Sequence, residues 1–490
     1  MARTDVMSGE TASRRTLPRW LVALATAAVA CAALQPYYFG YRLSGDDIWF
    51  LTLAIEGWET VRNNALHVAM DQGRIGQLLM VPLNVLGALL AGDPFWRVAI
   101  LAAYALQMLL FAVFVARLLR RDVQPFLFLL LVTLHPLAFA FMPPNAYPLQ
   151  NTVPFIVMLV ARLAVLRLRR RPARAPLRML AAQAAFGLGM FVSEFAVAFG
   201  LALLAAEYLA RLQWAREDGD SAPGKVIRAA CPWRYLVGDA LAVLSVLVPY
   251  IAFRAAFPGS YDGNSAGGLG EPVRILVTIL GHIRDGTAFS RLGGGLSSAS
   301  VTEIVAAVAI GAATAALLYA TAGPVLRIAA PVATVAAALA LAVLVTLPVA
   351  VSVKYQEACV DRGACAYIDS RISYLMVTVA IMAAVAVVCR AAAERWPRQR
   401  VLAVASVTFG IMASLVSVYN AGKARDMRQV HAAWERAATV ACTTSSSTMN
   451  EAALIEAIDP RGLIAVNPPN RAVDFWKIYL PWRAGSHCGQ

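Results

Sequence analysis

Charge is scarce in this chain. Only 15% of its 490 residues are Asp, Glu, Lys or Arg, against about 25% in a typical soluble domain. Histidine is scarcer still, with five: His67, His135, His282, His431 and His487. None stands at a metal-ligand spacing, which argues against a zinc or haem centre. His135, followed by Pro136 in an apolar run, reads as a satisfied core residue. No internal repeat is visible, so the inverted-repeat signature of many transporters is missing. Acidic side chains are outnumbered 29 to 43 by basic ones, a net charge of +14. That excess would suit nucleic acid, but the arginines cluster in short segments between apolar runs, as in Arg167-Leu168-Arg169-Arg170-Arg171. Such clusters set membrane topology and meet anionic lipid, so lipid is an expected partner and nucleic acid is not.

Apolar sequence fills the space that charge leaves. Hydrophobic residues make up 59% of the chain, and the mean hydropathy is +0.62. The fold class expected is an all-α integral membrane protein of about eleven spans. They fall near 20–39, 95–117, 124–142, 152–168, 177–192, 195–212, 235–254, 301–320, 329–350, 372–389 and 401–418. The first could be a signal peptide, since Arg14, Arg15 and Arg19 precede it. It runs to Leu34 without a polar cleavage region, so an uncleaved span is expected. The fifth and sixth are separated only by Ser193-Glu194. They read as a tight hairpin with Glu194 at its turn, or else as one long tilted helix with a buried glutamate.

Ile75–Ala91 resembles a span but is short and interrupted by Pro82. At 1.5 Å per residue it covers about 25 Å of a hydrocarbon core about 30 Å thick. Counting it would place the arginines near 117–121 and 167–178 outside, against the positive-inside rule. Reading it as an interfacial helix keeps those loops in the cytoplasm. The N-terminus is then inside and the C-terminus outside, in a bacterial-style inner membrane. The domain order is a cytoplasmic tail (1–19), a polytopic body (20–423) and a small outer appendage (424–490). That appendage carries an amphipathic helix, Met427–Cys442. The outer regions become 40–94, 143–151, 255–300, 351–371 and 419–490.

Four of the seven cysteines, Cys359, Cys365, Cys442 and Cys488, fall outside. An even number there suggests disulfides, and Cys359–Cys365 with Cys442–Cys488 is the simplest of three pairings. Free thiols are the alternative.

The first outer loop carries the chemistry. It opens Ser44-Gly45-Asp46-Asp47-Ile48-Trp49-Phe50, continues through an amphipathic stretch to Asp71-Gln72-Gly73-Arg74, and ends Gly92-Asp93-Pro94-Phe95-Trp96-Arg97. Two adjacent carboxylates at a bilayer face must be neutralised, hydrated or used. Used, one can take a proton from an acceptor hydroxyl. Arg74, Lys354 and Arg371 are candidate outer-face ligands for a leaving phosphate. A hydrophobic groove beside them would hold a lipid tail. The plain readings are a helix cap for Asp46/Asp47, a snorkelling anchor for Arg74 and an interface charge for Arg371. Trp49, Trp58 and Trp96 read as interface-belt aromatics rather than sugar platforms.

A carboxylate pair after the first span, a Gln-Gly-Arg step and a lipid-skimming helix together resemble the GT-C superfamily. These are membrane glycosyltransferases that use polyprenyl-phosphate-linked sugars. Asp-Asp-x-Trp followed by Gln-Gly-Arg is most similar to the serotype-converting O-antigen glucosyltransferase type. The likeness covers about the first 120 residues. It implies an inverting transfer from a polyprenyl-phosphate sugar to an envelope glycan or glycolipid, at the outer face. It also implies that Arg371 and Tyr374, opening the tenth span, hold the lipid phosphate, and that Glu194 is a second acid. Members with monophosphate donors generally need no metal. The outer regions lack an Asp-x-Asp, so no cofactor is expected, although a divalent ion at Asp46/Asp47 stays open. The rival class is a transporter or flippase for a lipid-linked saccharide. It needs charges inside the spans, and few are evident.

Overall fold

Apolar runs broken by proline, glycine and short basic loops fold into helices, and the described residues contain no strand. The structure, a computed structural model, describes residues 18–137, 142–145, 147–150, 152–169, 176–217, 232–259, 269–290 and 296–443. Helix α1 is Arg19–Phe39. Three shorter helices follow, α2 (Gly45–Glu56), α3 (Trp58–Gln72) and α4 (Gln77–Gly92). Then come α5 (Pro94–Leu119), α6 (Gln124–Thr133), α7 (Val153–Leu168), α8 (Pro176–Phe191) and α9 (Glu194–Glu217). The remainder are α10 (Trp233–Ala256), α11 (Pro272–Asp285), α12 (Val301–Thr321), α13 (Pro331–Ala350), α14 (Ile368–Ala391) and α15 (Arg398–Thr443).

Eight of these are long and apolar enough to cross a membrane: α1, α5, α9, α10, α12, α13, α14 and α15. They match eight of the eleven expected spans. The other three positions hold helices of 10, 16 and 16 residues, α6 to α8. Helix α6 stops early because Pro136 disfavours helix at the residue before it and offers no N–H of its own. At about 15 Å it reaches halfway across a hydrocarbon core.

The break between α8 and α9 settles one alternative. The chain leaves the helix after Phe191 and re-enters at Glu194, where the Ser193 hydroxyl accepts the Ala196 N–H at 3.2 Å. The two helices pack on each other, so this is a hairpin and not one long helix.

Helix α4 is excluded from the eight by its 16 residues. Both of its ends lie at the same end of the bundle. Arg74, before it, pairs with Glu194 at the start of α9. Arg97, after it, donates to the Ala91 carbonyl at 3.1 Å and lies over the Tyr41 ring at 4.0 Å. A helix that begins and ends on one face does not cross. With α2 and α3 it buries Ile48, Phe50, Leu53, Val61 and Val85 in a second, smaller core.

The last helix runs through position 424 without a break. Met427–Cys442 is not a separate appendage helix, because α15 runs unbroken for 46 residues. At 1.5 Å per residue that is about 70 Å. Its extension packs back on the first outer loop, with the His431 ring 5.3 Å from that of Tyr41. Lower down, α15 crosses α12 where Gly410 faces Gly311. A Cβ on either would come within 2.6 Å of the other's carbonyl oxygen, so only glycine permits that approach.

Candidate active site

The two aspartates do different jobs. Asp47 closes a capping box at the start of α2. Its Oδ2 accepts the Ser44 N–H at 2.8 Å and the Ser44 hydroxyl at 2.7 Å, and its own N–H reaches Ser44 Oγ at 3.2 Å. It is 4% exposed. Burial pushes its carboxyl up to about 6, against the pull of the Ser44 bonds and the Arg42 charge. The helix-cap reading therefore describes Asp47 literally. Asp46 is only partly buried and accepts the Tyr147 hydroxyl at 2.5 Å.

Tyr147 is held in place by unusual backbone. Its φ is +59°, a left-handed value that costs an aromatic residue energy and persists only where neighbours enforce it. Asn145 anchors the same segment to the end of α1, donating to the Gly40 carbonyl at 3.0 Å and accepting the Arg42 N–H at 2.7 Å.

Tyr147 lines a cavity of about 160 Å³ with Arg74, Glu194, Trp49, Tyr367 and a set of side-chain amides. Arg74 and Glu194 form an ion pair at 2.9 Å. Among the amides, Gln77 donates to Gln72 at 2.9 Å and Asn84 to Gln150 at 3.1 Å. The wall is thus one acid, one base, paired amides and aromatic rings, drawn from α2, α3, α4, α9, the 147–150 segment and the approach to α14.

Glycines make this convergence possible. Gly73 ends α3 at φ +63°, and a Cβ there would lie 2.4 Å from the Phe257 carbonyl. Gly76 sits against the α8–α9 break, where a Cβ would lie 2.0 Å from Tyr250 Oη and 2.6 Å from the Val192 carbonyl. The Gln-Gly-Arg step is therefore a close-packed turn that delivers Arg74 to Glu194.

Other expected ligands lie elsewhere. Arg371 is 2% exposed, inside the bundle rather than at its face. It donates to Gln107 and Thr152, each at 2.8 Å, and lies over the Tyr104 ring at 4.4 Å. Tyr374 donates between the Leu130 and Leu131 carbonyls at 3.0 and 3.1 Å. It thereby serves the C-terminal turn of α6, whose carbonyls lack a full set of helical partners. His135 is a satisfied core residue, as expected, with the Tyr37 and Tyr104 hydroxyls on its two ring nitrogens at 2.6 and 3.1 Å. Lys354 is exposed beside Tyr355 and does not line the cavity. Cys359 and Cys365 form a disulfide that packs against Gly281 of α11. The side chain of Cys442 and the whole of Cys488 lie outside the described residues. Of the tryptophans, Trp58 and Trp96 are exposed, as a belt requires, whereas Trp49 faces the cavity.

Tyr147, Gln150, Asn84 and Tyr367 were not expected at the site. The one signal was polar and aromatic residues crowded into the short outer region 143–151. An apolar cavity of about 600 Å³ does not adjoin this site. It lies between α5, α9, α13 and α14, lined by Phe111, Leu118, Leu203, Ala338 and Val379.

The charges inside the helices are more numerous than the sequence reading found. Arg162 is fully buried and paired with Glu207 and, at 2.7 Å, with Asp239. Arg169 pairs with the same two carboxylates, and Arg211 with Glu207. The chain matches no protein-family model, no curated protein and no solved structure.

Proposed function

We propose that the chain is a membrane glycosyltransferase of the GT-C kind, working from a polyprenyl-phosphate sugar at the outer face of a bacterial inner membrane. The single observation that carries this reading is the small cavity lined by Glu194, Arg74 and Tyr147, the last of which hydrogen-bonds Asp46. Amides and aromatic rings suit a sugar ring, which presents hydroxyls at its edge and C–H groups on its face. At about 160 Å³ the space is below the roughly 300–1,000 Å³ of most small-molecule pockets, so it takes one ring at most.

Asp46 is the general base. The hydrogen bond from Tyr147 orients its carboxylate, which takes the acceptor hydroxyl proton. Attack on the anomeric carbon then breaks its bond to the phosphate oxygen, with inversion. Arg74 is the cation nearest that event, and Glu194 fixes its direction. Asp47 builds the turn that presents Asp46. The eleven-span reading adds α7, α8 and the stretch that begins with α6 to the eight long helices; on that reading the arginine-rich ends lie inside and this cavity outside. The acceptor is an envelope glycan or glycolipid.

The test is transfer from a synthetic polyprenyl-phosphate sugar to an envelope extract by purified protein in nanodiscs. Asp46→Asn should remove it, and retention of activity by that variant would sink the reading. One observation favours the rival, a lipid-linked saccharide transporter: the buried Arg162–Glu207–Asp239 network within the helices. Polar groups at that depth mark pathways in many transporters. Movement of a fluorescent lipid-linked saccharide between leaflets of protein-containing vesicles, without glycosyl transfer, would establish the rival instead.

A further inference from the structure

At the end of the bundle opposite the candidate active site, about 25 Å along α9 from Glu194, lies a second cavity of about 650 Å³. Its polar side is Arg117, Arg120, Arg167, Arg169 and Arg211, with Trp214, and among the described residues no carboxylate lines it. Its other side is apolar, with Val113, Leu163 and Leu166 running back along α5 and α7.

The arginines fall into two sets. Arg169 and Arg211 form the floor, their side chains 7% and 9% exposed and paired with Glu207 and Asp239. Their guanidiniums are further fixed over the Tyr235 ring, at 4.4 and 5.8 Å. The rim is exposed. Arg120 lies over the Trp214 ring at 4.4 Å. The side chains of Arg117 and Arg167 make no ion pair or hydrogen bond among the described residues. Three helix C-termini also point this way, and each contributes about half a negative charge. Five guanidiniums outweigh them, even after the two buried carboxylates are set against the floor.

We propose that this cavity binds the phosphate of an anionic membrane lipid, with the acyl chain lying along Val113, Leu163 and Leu166. Guanidinium forks match phosphate oxygens in pairs, so Arg rather than Lys is the residue such a site needs. Basic pockets between helices at a membrane face take anionic headgroups. The apolar wall distinguishes a lipid from a free phosphate, which has no use for it. The site is separate from the proposed transfer chemistry and stands whether or not that reading holds.

The experiment uses the full chain, stripped of lipid in a neutral detergent. Its melting temperature is followed against added phosphatidylglycerol, phosphatidylcholine or inorganic phosphate, and native mass spectrometry counts the bound lipid. Phosphatidylglycerol should stabilise the wild type where phosphatidylcholine does not. Arg117→Gln with Arg167→Gln breaks no ion pair among the described residues, and should weaken the apparent lipid affinity by about tenfold or more. Arg117→Lys with Arg167→Lys should recover part of it. Arg398→Gln with Arg400→Gln, exposed at the start of α15, should leave it unchanged. Equal binding by the two glutamine pairs would overturn the proposal. Stabilisation by phosphatidylcholine to the same degree would do so too, and inorganic phosphate matching phosphatidylglycerol would overturn the lipid assignment.

Discussion

Arg74 and Glu194 stand 2.9 Å apart, although 120 positions separate them in the chain. The Gly73 turn brings the one and the α8–α9 break brings the other. Their side chains are 21% and 36% exposed, so solvent screens the pair and its net worth is about 1 kcal/mol or less. A double-mutant cycle of Arg74→Ala and Glu194→Gln should show that coupling in the melting temperature. Additivity within about 0.3 kcal/mol would mean the two charges are neighbours without interaction.

The aspartates should separate cleanly in mutagenesis. Asp46→Asn should leave the melting temperature close to wild type and remove transfer. Tyr147→Phe deletes one hydrogen bond to a charged group, worth roughly 1.5–3 kcal/mol, and should lower turnover by about tenfold to a hundredfold. Asp47→Ala removes a cap and should cost about 0.5–2 kcal/mol of stability. Stability and initial rate measured on the same preparations decide it. An Asp47→Ala protein that melts normally yet fails to turn over would reverse the two roles.

Acid should favour the Asp47 region. Its carboxyl is pushed up from the usual 3.8 to about 6 in the folded chain, so the folded state holds this proton when the unfolded state has lost it. As pH rises through that window the unfolded state is favoured, and the loss is complete above about 6. The gap corresponds to roughly 3 kcal/mol. The stability of the wild type relative to Asp47→Asn should therefore fall between pH 4 and 6 and level off above. A difference that stays flat across the range would show that Asp47 ionises normally.

Gly76 is a sensitive point in the turn. A methyl there meets the Tyr250 hydroxyl and two backbone carbonyls, of Val192 and Phe191. Gly76→Ala should destabilise the protein by about 1–3 kcal/mol through overpacking. Tyr250→Phe in the same chain should restore only part of this, because the carbonyls remain. Full restoration would assign the whole clash to the hydroxyl.

Much of the fold was legible because it follows from solvent. Long apolar runs must become helices in lipid, and eight of them do. That α4 falls short of a span was legible for a similar reason, since its run is short and interrupted by Pro82. The hairpin at Ser193-Glu194 was legible from two polar residues in an apolar stretch. Depth was not. Arg371 sits at the N-terminus of a span in sequence, yet α14 is sunk among α6 and its neighbours, so the arginine meets Gln107 and Thr152 instead of solvent. Nor was convergence legible. Tyr147 reaches Asp46 through a left-handed backbone and an Asn145 anchor that no spacing rule announces. The buried ion network was hidden because Arg162, Glu207 and Asp239 lie on three different helices, each charge looking isolated in its own run.

Arg371 offers the sharpest separation of packing from function. It is buried against neutral partners, Gln107, Thr152 and the Tyr104 ring, and no carboxylate contacts it among the described residues. A buried charge in that setting carries a desolvation cost of several kcal/mol. Arg371→Met fills similar volume without the charge, and by this argument should be as stable as wild type or more so. Arg371→Ala should be less stable by about 2–5 kcal/mol, the usual cost of a large cavity. If Arg371→Met melts at or above the wild-type temperature but loses donor turnover, the charge is kept at the expense of stability for a role in the reaction. A Met variant that melts several degrees lower would instead make Arg371 a structural residue, with Gln107 and Thr152 depending on its hydrogen bonds.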